Sequence, residues 1–276
     1  MSPPDDANDL RGYYFGLLIR RPPTQVLVGL TAVAAGLAGT LIAGPGVGAA
    51  AFLAGLLVAL LVVLGIAGSR AEDAFFDFYA AKRGMTALGR SRLPKATPLL
   101  RRGDERYAEH LVEGPLGDGV EGLVALYTYE EESSDGRGNR QTSYHRYTVG
   151  LTEVPECAER LPELYCQHRS GPRALEGLED AFRTKKERVS LESEALDERY
   201  EIFTIRGQDD NWLRQLFSPG FIVWLTESAP QRFGFELVDG NLCCYVSGHD
   251  KTTAELDAMR AASTAVATRL SEEALE

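Results

Sequence analysis

A chain of 276 residues can bury a full core and still carry additional segments. Apolar and charged fractions of 44% and 25% are ordinary for a globular protein, but the distribution is uneven, since residues 26 to 68 carry no charge. A net charge of -11 and a pI near 5.0 exclude the basic footprint that general nucleic-acid binding needs.

In chain order, residues 1–24 read as a polar tail containing Arg11, Arg20 and Arg21. Gln25–Ala43 and Val47–Gly68 are apolar runs near the ~20 residues at ~1.5 Å each that hydrocarbon requires. Gly44-Pro45-Gly46 separates them, because proline lacks an N–H and glycine favours turns. The expectation is a two-helix transmembrane hairpin over 25–68. Gly36, Thr40 and Gly44 recur every four residues, as do Ala51, Gly55 and Ala59, a pattern that permits close helix contact and self-association in lipid. Arginines precede the first run, Arg70, Lys82, Arg83, Arg90 and Arg92 follow the second, and the turn has none. Basic flanks stay inside, so a multi-pass protein of a bacterial inner (plasma) membrane with both termini cytoplasmic is expected. A cleaved signal peptide fits less well: the first run is long for that role and another follows at once.

Residues 69–98 read as a juxtamembrane helix and linker. Ala71–Met85 looks helical, with Phe75, Phe76 and Tyr79 facing either headgroups or a core, and residues 86 to 98 read as the linker. Residues 99–272 form the expected cytoplasmic domain. Tyr107–Gly114, Val120–Glu130 and Thr142–Val154 read as a meander turning at Asp118-Gly119 and at a polar tip, Glu131–Gln141. Leu123, Ala125, Tyr127 and Tyr129 share one face, as do Tyr147, Val149 and Leu151. Pro172 opens a helix with Leu175, Leu178 and Phe182 inward. Strands follow around Arg188–Leu191 and Tyr200–Ile205, then a helix from Ser218-Pro219. Asp239-Gly240 makes a second hairpin in which Leu237 faces Leu242, Phe235 faces Cys244 and Phe233 faces Val246, with Cys243 opposite Glu236. Thr252 and Glu255 form a capping box for a last helix bearing Leu256, Met259, Val266 and Leu270. The fold class is therefore a membrane-anchored α+β protein with a mainly antiparallel sheet and packed helices.

Gly117–Gly122 matches the dinucleotide pattern GxGxxG, but a strand follows where the pyrophosphate needs a helix N-terminus, so a hairpin turn is expected. Cys157, Cys166, Cys243 and Cys244 lack zinc spacing and read as reduced, buried thiols. His110 and His145 could approach one another, joined by Glu109 or Glu130. Cys166-Gln167-His168 offers a thiol and an imidazole as nucleophile and base, but side chains so close in sequence rarely orient that way, and Ser247-Gly248-His249-Asp250 reads as a turn into the capping box. Glu130, Glu131 and Glu132 read as a solvated tip. No catalytic, cofactor or metal site is assigned from these residues.

The stretches TPLLRRGDERYAEHLVEGPLGDGVEGLVALYTYEEE and YHRYTVGLTEVPE resemble an uncharacterised family of membrane-anchored proteins of high-GC bacteria. VSLESEALDERYEIFTIRGQDDNWLRQLFSPGFIVWL, with FGFELVDGNLCCYVSG, is similar to a wider bacterial domain-of-unknown-function family. The resemblance implies membrane spans, then strands, then a strand–helix–hairpin ending, and transfers no residue role. The function read from all this is a membrane-tethered, non-enzymatic module binding the bilayer and a protein partner. Trp212, Phe217, Tyr127 and Tyr129 are the candidate partner surface, and Tyr144 is a further exposed aromatic. The rival readings are a membrane-bound hydrolase built from His, Asp and Ser, and an accessory subunit of a membrane complex.

Overall fold

The computed structural model describes residues 5–134, 140–170, 186–207 and 211–275. The expected helix opening at Pro172 and the centre of the tip at 131–141 lie outside the described residues. The chain divides into two compact units, Met1–Tyr79 and Ala80–Glu276.

In the first unit, Asp6 and Asp9 form a capping box on a short turn, Ala7–Leu10, that leads into α1 (Arg11–Ile19). The polar tail is thus partly helical: Tyr14, Phe15 and Leu18 pack with Val28, Ala59, Val63 and Ala67. Helix α2 (Pro22–Ala43) opens on Pro22, and α3 (Pro45–Lys82) opens on Pro45. Gly44, at φ 90°, makes the turn between them. Both helices are long and apolar enough to cross a membrane, and most of their apolar surface is uncovered, Leu41 being 87% exposed. Gly36, Thr40, Ala51 and Gly55 of the small-residue stripes lie in the seam between the two helices. A Cβ on Gly48 would fall 1.8 Å from Thr40 Oγ1, and one on Gly55 would fall 2.8 Å from Ala35 Cβ. Helix α3 runs on through Ser69 and Arg70 into the segment read as a juxtamembrane helix, since no proline follows Pro45 until Pro94. Phe75, Phe76 and Tyr79 are buried, with Phe75 and Phe76 packed edge to face at 5.3 Å.

The second unit is built on a nine-stranded, wholly antiparallel sheet. Its strands are β1 (Thr86–Leu88), β2 (Glu105–Gly117), β3 (Val120–Ser134), β4 (Arg140–Glu153) and β5 (Leu164–His168). They continue with β6 (Lys186–Val189), β7 (Tyr200–Ile205), β8 (Gly234–Val238) and β9 (Asn241–Ser247). Spatial order is β1-β2-β3-β4-β9-β8-β5-β7-β6. Asp118 and Gly119, like Asp239 and Gly240, take positive φ, as two-residue hairpins require. Register follows the sequence pattern: Leu123, Ala125 and Tyr127 stand opposite Leu151, Val149 and Tyr147. Leu237 and Phe235 face Leu242 and Cys244 as expected, whereas Phe233 precedes the ladder and Val246 pairs with Thr148 of β4. The linker reading of 86–98 is corrected, because Thr86–Leu88 pairs with Leu111–Glu113 of β2.

Among the described residues, five α-helices complete the unit: α4 (Pro98–Arg101), α5 (Glu194–Arg199), α6 (Asn211–Leu216), α7 (Pro219–Val223) and α8 (Thr253–Leu275). Pro219 takes the first turn of α7 as expected, but Ser218 makes no side-chain cap bond. The capping box of α8 is present: Thr252 N donates to Glu255 Oε2 at 3.2 Å, and Glu255 N to Thr252 Oγ1 at 3.2 Å. Helix α8 covers one face of the sheet, coming so close to β4 that a Cβ on Gly150 would fall 2.1 Å from Ser263 Oγ. The opposite face carries the tyrosines, beneath Leu93, Leu99 and Leu100.

Candidate functional site

Strand alternation puts Tyr127, Tyr129, Tyr147 and Tyr245 on that opposite face, and the connection from β1 to β2 lies over it. Tyr129 and Tyr147 stack at 5.7 Å, and the Tyr127 hydroxyl donates to Leu99 O at 3.4 Å. Tyr127 and Tyr129 are each 1% exposed, so the reading of them as a partner surface is corrected. Phe217 is buried against Phe221, and Trp212 is half-buried with its indole nitrogen unpartnered. Only Tyr144, 54% exposed, stands free as expected.

Glu236 of β8 is fully buried on the same face, directly across from Cys243. Its Oε2 accepts from Leu99 N at 3.1 Å, while Oε1 and the neighbouring Thr97 Oγ1 are buried without a partner of normal geometry. Burial, opposed only in part by the Leu99 amide, pushes the carboxyl up to about 7. All four cysteines are buried and free, and burial pushes each thiol up, that of Cys244 to about 12, which makes them poor nucleophiles. His168 Nδ1 accepts from Ser170 N at 3.1 Å and has no link to Cys166.

The approach of His110 to His145 that neighbouring strands would allow does not occur. They lie on β2 and β4, three residues apart along the register of β3 that separates them. His145 stacks on Tyr129 at 4.6 Å and stands 3.3 Å from Glu131, while Glu130 accepts from Tyr107 at 3.1 Å.

The grouping that sequence reasoning missed centres on His249, which is tucked beneath the end of β9. Its Nε2 lies 3.1 Å from Tyr127 O and 3.2 Å from Thr128 Oγ1, and its Nδ1 lies 3.6 Å from Glu109 Oε2. Glu109 reaches it because the register of β2 shifts between Ala108 and His110, a bulge that re-aims one side chain. The corner is fixed from behind: Thr148 Oγ1 donates to Gly248 O at 3.1 Å and accepts from Asp250 N at 2.8 Å. Burial holds the imidazole below its ordinary range and raises Asp250 to about 6. The turn read at 247–250 is thus a turn whose histidine is locked into the sheet. Its only forerunner in the sequence is the polar residue Thr128 within an otherwise inward-facing run.

Two grooves of this unit lie along α8. One groove, about 780 Å³, runs between α8, the β2–β3 turn and α7. Phe221 and Trp224 stack at 5.5 Å at its edge. Arg83 forms a two-pronged ion pair with Asp257, Arg260 donates to Pro115 O at 2.8 Å, and Arg269 donates to Leu216 O at 3.1 Å. Thr264 Oγ1, within the lining, is buried without a partner. A second groove, about 840 Å³, shares Asp118 and Thr268 with the first. Glu113, Glu121, Glu153 and Glu156 join Asp118 there with no lysine, arginine or histidine in the lining. No group of acidic, histidine or cysteine side chains arranged for a metal ion occurs among the described residues.

Comparison with family models, with curated proteins and with solved structures gave no match.

Proposed function

We propose that the chain is a membrane-tethered, non-enzymatic interaction module that receives a protein partner in the groove along α8. The two uncovered apolar helices and their basic flanks support the tether, and with it a multi-pass arrangement in a bacterial plasma membrane with both termini cytoplasmic. One observation carries the docking reading: an open groove edged by a stacked Phe221–Trp224 pair and arginines already oriented by neighbours. Aromatic and arginine anchors of this kind dominate binding energy at protein interfaces.

A photo-crosslinking residue at Thr268, which faces both grooves, tests this in native membranes. A discrete heavier adduct is expected, lost with Trp224→Ala in protein that still sediments with membranes. An adduct no stronger than that from a probe at exposed Ser133 overturns it. An integral membrane protein in the adduct favours an accessory-subunit role, and an adduct of twice the chain mass favours self-association. A reporter after Glu276 found outside the cell removes the topology.

The grouping of His249, Thr128 and Glu109 favours a second reading, a hydrolase with Thr128 as nucleophile, Glu109, whose Oε1 accepts from Thr128 Oγ1 at 3.3 Å, as its base, and His249 beside both. Thr128 is buried and the side chain of His249 is only 6% exposed, whereas that of Glu109 is 32% exposed. Labelling of the full chain by a fluorophosphonate probe, abolished by Thr128→Val, supports this reading; absence of labelling removes it.

A further inference from the structure

Charge is partitioned sharply along the chain. Residues 82–106 contain eight lysines and arginines against two acids, whereas residues 107–276 contain seventeen against thirty-two. The basic stretch begins at Lys82, where α3 ends, and runs through β1 and α4 into β2.

The structure folds this stretch into a cleft of about 540 Å³, lined by Arg90, Arg92 and Lys95 on one side and Arg106 and Tyr107 on the other. A backbone bridge holds the two sides together: Ser91 N donates to Ala108 O at 3.0 Å, and Ala108 N to Ser91 O at 2.8 Å. The Arg90 guanidinium lies 3.8 Å over the Tyr107 ring, which fixes its plane. Arg106 donates to Arg101 O at 2.8 Å and Gly103 O at 3.3 Å. Arg92 and Lys95 extend into solvent. Two acids also line the cleft. Asp104 is engaged, its Oδ2 accepting from Glu132 N at 2.9 Å, and Glu105 is exposed. Four cations therefore converge on one opening of an otherwise acidic unit, two of them already oriented.

We infer that this cleft is a docking site for the phosphate headgroups of an anionic lipid surface. The inference rests on the membrane reading above but not on the partner groove. Arginine suits phosphate because its planar fork donates two parallel hydrogen bonds, and a pre-oriented fork loses little freedom on binding. Charge complementarity selects the occupant. An extended anionic polymer would meet repulsion from the acid excess elsewhere, whereas a headgroup needs only the cleft. A basic cluster following a membrane helix gains roughly fivefold in binding per lysine or arginine near an anionic leaflet, and salt screens that gain.

The test uses the full chain in nanodiscs of phosphatidylcholine alone or of phosphatidylcholine mixed with phosphatidylglycerol. An environment-sensitive dye on Ser91→Cys reports the cleft, and selectively so, because the four native cysteines are buried. A blue shift is expected in anionic discs, absent in neutral ones and reversed by high salt. Arg92→Gln/Lys95→Gln, which changes only exposed side chains, should weaken it by more than tenfold, and adding Arg90→Gln should abolish it. Equal spectra in the two disc types, or a shift that survives the triple substitution, overturn the proposal. So does saturable binding of inorganic phosphate in neutral discs that accounts for the whole shift, since the site then serves a free anion. A chain that stays outside the discs removes the membrane reading too, whereas one that inserts without a shift removes only the headgroup site.

Discussion

Glu236 is a carboxyl placed where only its neutral form is comfortable. Its folded value, near 7, lies above the ordinary value of 4.5, so the folded state holds the proton more tightly than the unfolded chain. Stability from this residue is therefore complete below about 4.5 and is lost as pH rises through 7, by roughly 3 kcal/mol at most. Thermal melts of the full chain in detergent should show Glu236→Gln losing less stability than the parent between pH 5 and 8; equal losses contradict the assignment. His249 has the opposite sign. Its folded value is depressed by burial, so its contribution is full above the ordinary 6.5 and lost as pH falls. His249→Ala should cost about 2 kcal/mol at neutral pH, because it takes the imidazole donor from Tyr127 O, and it should flatten the acid limb of the stability curve. At this scale the sequence was half legible. Alternation put Tyr127 and Tyr129 on one face, but nothing local announced that Leu93, Leu99 and Leu100 would cover them. Glu109 meets His249 only through a bulge, which leaves no mark in composition.

Among elements, those specified by neighbouring residues were readable and those specified by distant partners were not. Both Asp-Gly hairpins and the capping box of α8 arise from groups within a few positions of each other, so their chemistry is local. Thr252→Ala should destabilise the chain by about 1 kcal/mol, measured by the same melts, by freeing the amide of Glu255. By contrast, β1 is three residues long and becomes a strand only because β2 offers a free edge. The five residues of β5, Leu164–His168, were not foreseen at all, since their partners β7 and β8 lie more than thirty residues ahead. The apolar helices were legible in type, and the seam explains their small residues. Gly48→Leu forces a side chain into the space of Thr40 and should cost about 1–3 kcal/mol through overpacking, read as increased protease nicking near Gly44.

For the whole molecule, the opening composition hid two opposed electrostatic regions, because a net charge of -11 averages a basic stretch with a much larger acidic remainder. The grooves along α8 were equally hidden. They form where the β2–β3 turn, α7 and the last helix come together, and no window of sequence contains all three. What did carry through was class: a charge-free stretch folded into two apolar helices, followed by an antiparallel sheet with helices.

The final hairpin occupies the middle of the sheet. Strands β8 and β9 are made last, yet β4 hydrogen-bonds to β9 and β5 to β8, and among the described residues no other strand pairing joins the two halves of the ladder. During synthesis, then, β4 and β5 wait with raw edges until Gly234–Ser247 leaves the ribosome, a long-range closure of the kind that slows folding and invites intermolecular pairing. A chain stopped before Gly234 should aggregate or be degraded rather than persist as a smaller domain, and supplying Gly234–Leu275, the hairpin with the helix that covers it, as a separate polypeptide should rescue it by strand complementation.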